Sequence, residues 1–227
     1  MRVLVIEDEA VLSQQLTDAL QHAGYVVDCA KDGARAEFLG QTEQYDAVVL
    51  DLGLPRVDGL TILRRWREAG LVTPVLVLTA RGSWHEKLRG IDGGADDYVS
   101  KPFQMEEVLA RLRALIRRSS GQINPELRWG AVVLDSRSAK VTLDGAPVKL
   151  TSHEFRVLSY LMHHRDRVVS QSELTEHIYA QDADRDSNTV EVFIARLRRK
   201  LGSAFIETVR GLGYRIATSP EATEAQR

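Results

Sequence analysis

Glu7, Asp8, Asp51, Thr79 and Lys101 are residues whose types could handle an anion or a divalent cation, and each stands at the end of a short apolar run. The runs are 3–6, 25–30, 47–50, 74–79 and 97–100. Glu7 and Asp8 follow the first, Asp51 the third, Thr79 closes the fourth and Lys101 follows the fifth. If the runs are parallel strands, these side chains meet where open α/β sheets place their ligands, at the carboxyl ends. Three carboxylates brought together repel one another. A hard divalent cation relieves that repulsion, and Mg²⁺ suits a few carboxylates with retained waters. Lys101 and Thr79 supply a positive charge and a hydroxyl, both suited to phosphoryl oxygens. Any one of the five alone is a solvated surface group. Their joint placement at strand ends points to phosphoryl chemistry. Dinucleotide binding is disfavoured, because no G-x-G-x-x-G follows the first run, and no G-x-x-x-x-G-K-[ST] occurs anywhere.

The elements that must position these residues are legible from patterning. Helical stretches separate the apolar runs, as with Val11, Leu12, Leu16, Ala19 and Leu20. Such alternation predicts a doubly wound parallel sheet, and continuous apolar runs suit strands covered on both faces. The last helix of this unit carries Val108, Leu109, Leu112, Leu115 and Ile116 on one side and ends in Arg117 and Arg118, charges that favour a helix C-terminus. The chain has 227 residues, enough for one large domain or two small ones, and a net charge of −2, so any nucleic-acid-binding surface must be local. The single cysteine, Cys29, excludes an intrachain disulfide and fits a reducing cytosol. The stretch MRVLVIEDEA lacks the long apolar region and small-residue cleavage site of a signal peptide, and no run of about 18 apolar residues occurs, so a cytoplasmic location is expected.

Residues 119–126 read as a linker, small and polar with Gly121 and Pro125. Alternating segments over 127–150, punctuated by Gly130 and Asp144-Gly145, predict a small antiparallel sheet. Helical patterns follow at about 152–164, 171–179 and 186–201, then two short strands near 206–208 and 214–217 around Arg210-Gly211-Leu212-Gly213. Over 186–201, Val190, Ile194, Leu197 and Leu201 share one face. Asn188, Thr189, Val192, Arg196 and Arg199 occupy the opposite one, with Arg198 and Lys200 flanking. A helix with an apolar back and an arginine-bearing front suits a major groove. A surface helix whose basic end complements its own dipole would explain Arg198–Lys200 but not Asn188 and Thr189. With the preceding helix this makes a helix-turn-helix, and Arg210 on a tight turn can reach a phosphate or the minor groove. The tail 219–227 is polar and expected to be disordered.

The segments IEDE, VVLDLGLPRVDG, LTA and GADDYVSKPF, at these separations, resemble the receiver domain of two-component response regulators over 1–118. That resemblance implies that Asp51 accepts a phosphoryl group from a sensor histidine kinase. It further implies that Glu7, Asp8, Asp51 and the Gly53 carbonyl hold Mg²⁺, and that Thr79 and Lys101 bind the phosphoryl oxygens. Lys101-Pro102 resembles the family's cis peptide. Thr79 and Tyr98 would form a switch, although Tyr98 also reads as a half-buried strand aromatic. Gly53 stands where many relatives carry a larger side chain, which leaves the acyl phosphate less shielded.

KLTSHEFRVLSYL, VVSQSEL, NTVEVFIARLRRKL and TVRGLGYR resemble the winged-helix output domain of the OmpR/PhoB family, over 127–218. DLGLP, RRWR and LTAR are similar to its PhoP-type branch. The expected fold is therefore a (βα)5 doubly wound receiver followed by a winged helix with an N-terminal four-stranded sheet. The resemblance implies DNA contacts from Asn188, Thr189, Val192, Phe193, Arg196, Arg198, Arg199 and Arg210, with Phe193 touching a thymine methyl. It implies a phosphorylation-induced homodimer through Lys87, Asp96, Asp97, Glu107, Arg111 and Arg118, double-stranded DNA with direct-repeat half-sites, and RNA polymerase as a further partner. Glu107 and Arg111 are also spaced for ordinary pairing on a solvated helix. A phosphatase-like enzyme is disfavoured because Asp51-Leu52-Gly53 lacks a D-x-D pair, and an unphosphorylated dimer scaffold because all five pocket residues are present.

Overall fold

The computed structural model describes residues 1–80, 93–122, 124–179 and 189–217. The described residues of 2–119 form one compact unit and those from 120 onward a second.

The first unit runs β1 (Arg2–Ile6), α1 (Ala10–His22), β2 (Val26–Ala30), α2 (Gly33–Thr42), β3 (Ala47–Asp51), α3 (Gly59–Glu68), β4 (Val75–Ala80), β5 (Asp97–Lys101) and α4 (Met105–Ser119). The five strands are all parallel, in the order β2-β1-β3-β4-β5. The order reverses at β1, so the crevice beside the carboxyl ends of β1 and β3 is the topological switch point. β1 and β3 are buried along their whole length, as expected of apolar runs covered on both faces. Leu4, Ile6, Val48, Leu50, Ile62, Leu63 and Trp66 form part of one core. Asp58 caps α3 by accepting from Thr61 N at 2.9 Å. A Cβ at Gly59 would collide with the Asp51 carbonyl. Glycine there lets α3 start hard against the end of β3, which fixes the Asp51 backbone.

The second unit runs β6 (Glu126–Trp129), β7 (Val132–Asp135), β8 (Lys140–Leu143), β9 (Ala146–Val148), α5 (Ser152–His163), α6 (Gln171–Ile178), α7 (Thr189–Leu201), β10 (Ile206–Val209) and β11 (Gly213–Ile216). β6 to β9 form a four-stranded antiparallel meander. Its last hairpin turns at Asp144 and Gly145, both at left-handed φ (51° and 78°), the backbone that a two-residue turn joining twisted strands requires. Thr151 and Glu154 make a reciprocal capping box at the start of α5, which satisfies two otherwise unpaired helix donors. β10 and β11 form an antiparallel hairpin, and α7 packs against α5 and α6. The expected start of the α7 helix at 186–188 and the tail 219–227 lie outside the described residues.

Candidate phosphoacceptor pocket and DNA-facing surface

The sheet brings the strand-end residues together. Glu7, immediately after β1, is 1% exposed, Asp51, the last residue of β3, is 7% exposed, and Asp8 stands in solvent. One carboxylate oxygen from each of Glu7, Asp8 and Asp51 lies within 4.8 Å of the others. Lys101, the last residue of β5, places Nζ 2.8 Å from Glu7 Oε2 and 3.2 Å from Asp51 Oδ1. Burial pushes the Glu7 carboxyl above its ordinary value, with the Asp51 charge adding to the effect and Lys101 opposing it. Burial alone would lower the Lys101 ammonium, but the Glu7 and Asp51 carboxylates overcome this and raise it. The pocket thus holds three carboxylates against one ammonium, a donor set that fits a hard divalent cation.

Thr79, near the end of β4, is 1% exposed and pairs in register with Ser100, while Lys101 pairs with Ala80. Tyr98 on β5 is half-buried against the main core. The Lys101-Pro102 peptide is cis. Gly53 is exposed, and a Cβ built there would sit 3.3 Å from Asp51 Oδ2, so a side chain at this position would border the carboxylate directly.

The residues expected to pair between receivers are engaged within one chain. Arg111 Nη1 is 3.1 Å from Asp97 Oδ1, and its Nε is 2.9 Å from Glu107 Oε1. Glu107 and then Asp97 raise the Arg111 guanidinium above its ordinary value. Asp96 Oδ2 meets Arg67 Nη2 at 2.9 Å and accepts from Val75 N at 2.8 Å. Arg118 is exposed and its Nε donates to Ala114 O at 3.3 Å. Lys87 lies outside the described residues. Sequence reasoning missed Arg67, which also donates to the carbonyls of Gly94, Leu71 and Thr73. No periodic pattern marks a side chain that staples two loops.

On α7, Val190, Ile194, Leu197 and Leu201 are buried, as their spacing predicts. Val192 is 43% exposed, and Arg196, Arg199 and Arg210 stand in solvent. Asn188 and the Thr189 side chain lie outside what the structure describes.

Two expectations are corrected. Phe193 is 8% exposed and stacks on His153, with ring centroids 5.3 Å apart and planes 5° from parallel. It belongs to the packing between α5 and α7, because position 193 falls beside Val190, Ile194 and Leu197 on the helical wheel. Arg198 turns towards the hairpin, donating from Nε to Ile206 O at 2.9 Å and from Nη2 to Thr208 Oγ1 at 2.7 Å. Its fork is occupied inside the protein. Leu212, in the β10–β11 turn, is 63% exposed. The sequence signal for it was an apolar residue between two turn glycines, where no core-facing register exists.

A parallel sheet with an acidic trio and a lysine at its switch point, in one chain with a helix-and-hairpin unit of this kind, defines a response regulator that acts on DNA. Comparisons with known proteins agree. Residues 3–113 match the family described as "Response regulator receiver domain", and residues 145–216 match "Transcriptional regulatory protein, C terminal". The chain is 46% identical over 218 residues to the two-component response regulator PhoP of Pseudomonas aeruginosa, covering 94% of this chain and 97% of that one. It is 45% identical over 216 residues to the transcriptional regulatory protein QseB of Escherichia coli O157:H7, covering 95% and 99%. Among solved structures, the receiver domain of the Francisella response regulator 1452 is 35% identical with a TM-score of 0.50, covering 52% of this chain and 98% of that one. The chain belongs to the OmpR/PhoB family of response regulators, in its PhoP-like branch, and is a phosphorylation-dependent two-component transcriptional regulator with a DNA-binding domain. Among the described residues no helix is long and apolar enough to cross a membrane.

Proposed function

We propose that Asp51 is the phosphoacceptor, and that its modification controls how receivers pair and hence how the winged helices engage DNA. The observation that carries this is the meeting of three carboxylates within 4.8 Å, two of them bridged by Lys101. A carboxylate oxygen of Asp51 attacks the phosphorus of a phosphohistidine on a sensor kinase. The P–N bond breaks, its electrons and a proton go to the leaving imidazole, and an acyl phosphate forms on Asp51. Glu7, Asp8 and Asp51, with the Gly53 carbonyl, would hold Mg²⁺, which offsets the negative charge gathered at the pocket. Lys101 leaves its carboxylate partners to meet phosphoryl oxygens, and the Thr79 hydroxyl donates to another.

In this reading Thr79 turns towards the phosphoryl group and Tyr98 follows into the vacated space. The face bearing Asp96, Asp97, Glu107, Arg111 and Arg118 then pairs with its copy, and Lys87 is expected to join that pairing. An isologous interface needs both signs on one patch, and the intrachain pairs there keep part of each side chain in solvent, which leaves them weak enough to exchange partners. Two linked winged helices gain avidity for direct-repeat half-sites. Asn188, Thr189, Val192, Arg196 and Arg199 face the major groove, and Arg210 reaches the backbone or minor groove. RNA polymerase is the expected downstream partner, and the DNA target places the protein in the cytoplasm. Support comes from the exposure of Val192, Arg196, Arg199 and Arg210.

The test supplies magnesium and a small phosphodonor such as acetyl phosphate to the full chain and to Asp51→Ala. One acid-stable, base-labile phosphoryl group per chain, absent from the variant and accompanied by dimerisation and tighter binding to promoter DNA, is expected. Continuous multiple turnover would indicate an enzyme instead, and an unmodified Asp51 would refute the reading.

A further inference from the structure

We propose that Arg198 is a positioning residue: it locks the β10–β11 wing to the recognition helix α7 at a fixed pitch, so that Arg210 and Leu212 at the wing tip meet DNA preorganised. The inference deepens the DNA-binding reading above and rests on it for its functional consequence.

An isolated two-stranded hairpin is marginal in water, and each of its outer edges presents unpaired main-chain groups. Both edges of this hairpin are gripped. On the β11 side, Val169 and Tyr214 exchange two main-chain hydrogen bonds, each 2.8 Å. Tyr214 is in register with Thr208, and Ile206 with Ile216. Because outward- and inward-pointing pairs alternate along an antiparallel ladder, the outward groups of Tyr214 imply that Ile206 and Thr208 turn theirs to the opposite edge. Arg198 is found at that edge. Its Nε takes the Ile206 carbonyl and its Nη2 the Thr208 hydroxyl, two acceptors that a planar fork spans and a lysine cannot.

Arg198 is also unlike its neighbours on α7. Arg196 and Arg199 are exposed, whereas Arg198 is half-buried along the hairpin. Ile206, whose carbonyl it holds, is itself buried. The wing tip carries Arg210 and the 63%-exposed Leu212, one able to meet phosphate and the other the apolar wall of a groove. Holding that pair at a set angle to α7 removes an ordering cost otherwise met on binding.

The experiment compares the full chain with Arg198→Lys, which keeps the charge but not the fork, and Thr208→Val, which removes one acceptor without changing charge. Hydrogen exchange of the β10 and β11 amides is read first, without DNA. Faster exchange in the hairpin of both variants, with α7 unchanged, is expected. Unchanged hairpin exchange overturns the proposal regardless of any DNA result. Affinity is then read on a duplex enriched from a random-sequence pool by the wild-type protein, across a salt series. Both variants should bind roughly fivefold or more weakly. Their salt dependence should stay that of the wild type, and each loss should be non-additive with Arg210→Ala. Wild-type affinity for Arg198→Lys, with a salt slope for Arg198→Ala lower by about one, would identify a phosphate contact instead and overturn the proposal. A wild-type chain that, treated with magnesium and acetyl phosphate, enriches no duplex refutes the DNA-binding reading, while the exchange data still decide the lock.

Discussion

Replacing Lys101 with methionine should destabilise the receiver strongly without a divalent cation and much less with one. Lys101 Nζ lies 2.8 Å from Glu7 Oε2 and 3.2 Å from Asp51 Oδ1. At an effective dielectric of about 20, one pair of unit charges about 4 Å apart attracts by roughly 4 kcal/mol before any cost is counted. Desolvation takes back much of this, and 25% of the lysine side chain remains in solvent, so each bond nets about 1–1.5 kcal/mol. Two bonds give about 2–3 kcal/mol of lost stability in EDTA, with three carboxylates left to repel one another. Magnesium held by Glu7, Asp8 and Asp51 as proposed would place positive charge beside the same carboxylates, so at saturation the loss should fall below about 1 kcal/mol. The variant should accordingly bind magnesium about tenfold more tightly than the wild type, since about 1.4 kcal/mol corresponds to each factor of ten. The assay is urea denaturation of both proteins in EDTA and in magnesium, with hydrogen exchange of β1 and β3 amides to localise the change. An equal loss in both buffers, or weaker magnesium binding by the variant, would show that Lys101 is not the counter-ion to these oxygens.

Three further outcomes follow from particular contacts. Gly53→Met should slow loss of the acyl phosphate, because even its Cβ would lie 3.3 Å from Asp51 Oδ2; an unchanged decay rate of the phosphorylated chain rejects the shielding argument. Burial pushes the Glu173 carboxyl up, but hydrogen bonds from Arg167 and Tyr160 overcome it and hold it at about 2 instead of 4.5. A depressed folded value means stability that is complete above the unfolded value and lost as pH falls towards about 2. Glu173→Gln should therefore cost about 1–2 kcal/mol at pH 7, discounted because Arg167 is 47% exposed, and the difference from wild type in urea melts should close near pH 2. Phe193→Ala should lower the stability of the winged-helix unit by about 3–5 kcal/mol without altering base preference in the fraction that remains folded; a selective loss at thymine positions would reinstate Phe193 as a base contact.

The parallel sheet and its acidic pocket were legible because each rests on a local signal. An apolar run of five or so residues ends in a polar one, and parallel strands bring such ends to a common edge whatever the details between them. Glu7, Asp51 and Lys101 meet for that reason. The hairpin at Asp144-Gly145 was legible because its turn demands left-handed backbone that few residues tolerate. The buried stripe of α7 was legible in part. A single apolar face at i, i+4 and i+7 placed Val190, Ile194 and Leu197 correctly but left Phe193 outside. The stripe is wider than one seam because α7 packs against both α5 and α6, and a helix with two partners buries a broader arc.

Periodicity and strand-end chemistry, which are properties of neighbouring residues, settled the fold class, the phosphoacceptor candidate and the presence of a basic helix. The fate of long polar side chains depended on distant partners. Asp97 and Glu107 claim Arg111, Arg67 claims Asp96, and the outer edge of β10 claims Arg198. A guanidinium on a flexible stem reaches several ångströms in many directions, and which acceptors lie within that reach is fixed by how strands and helices far apart in the chain are packed together.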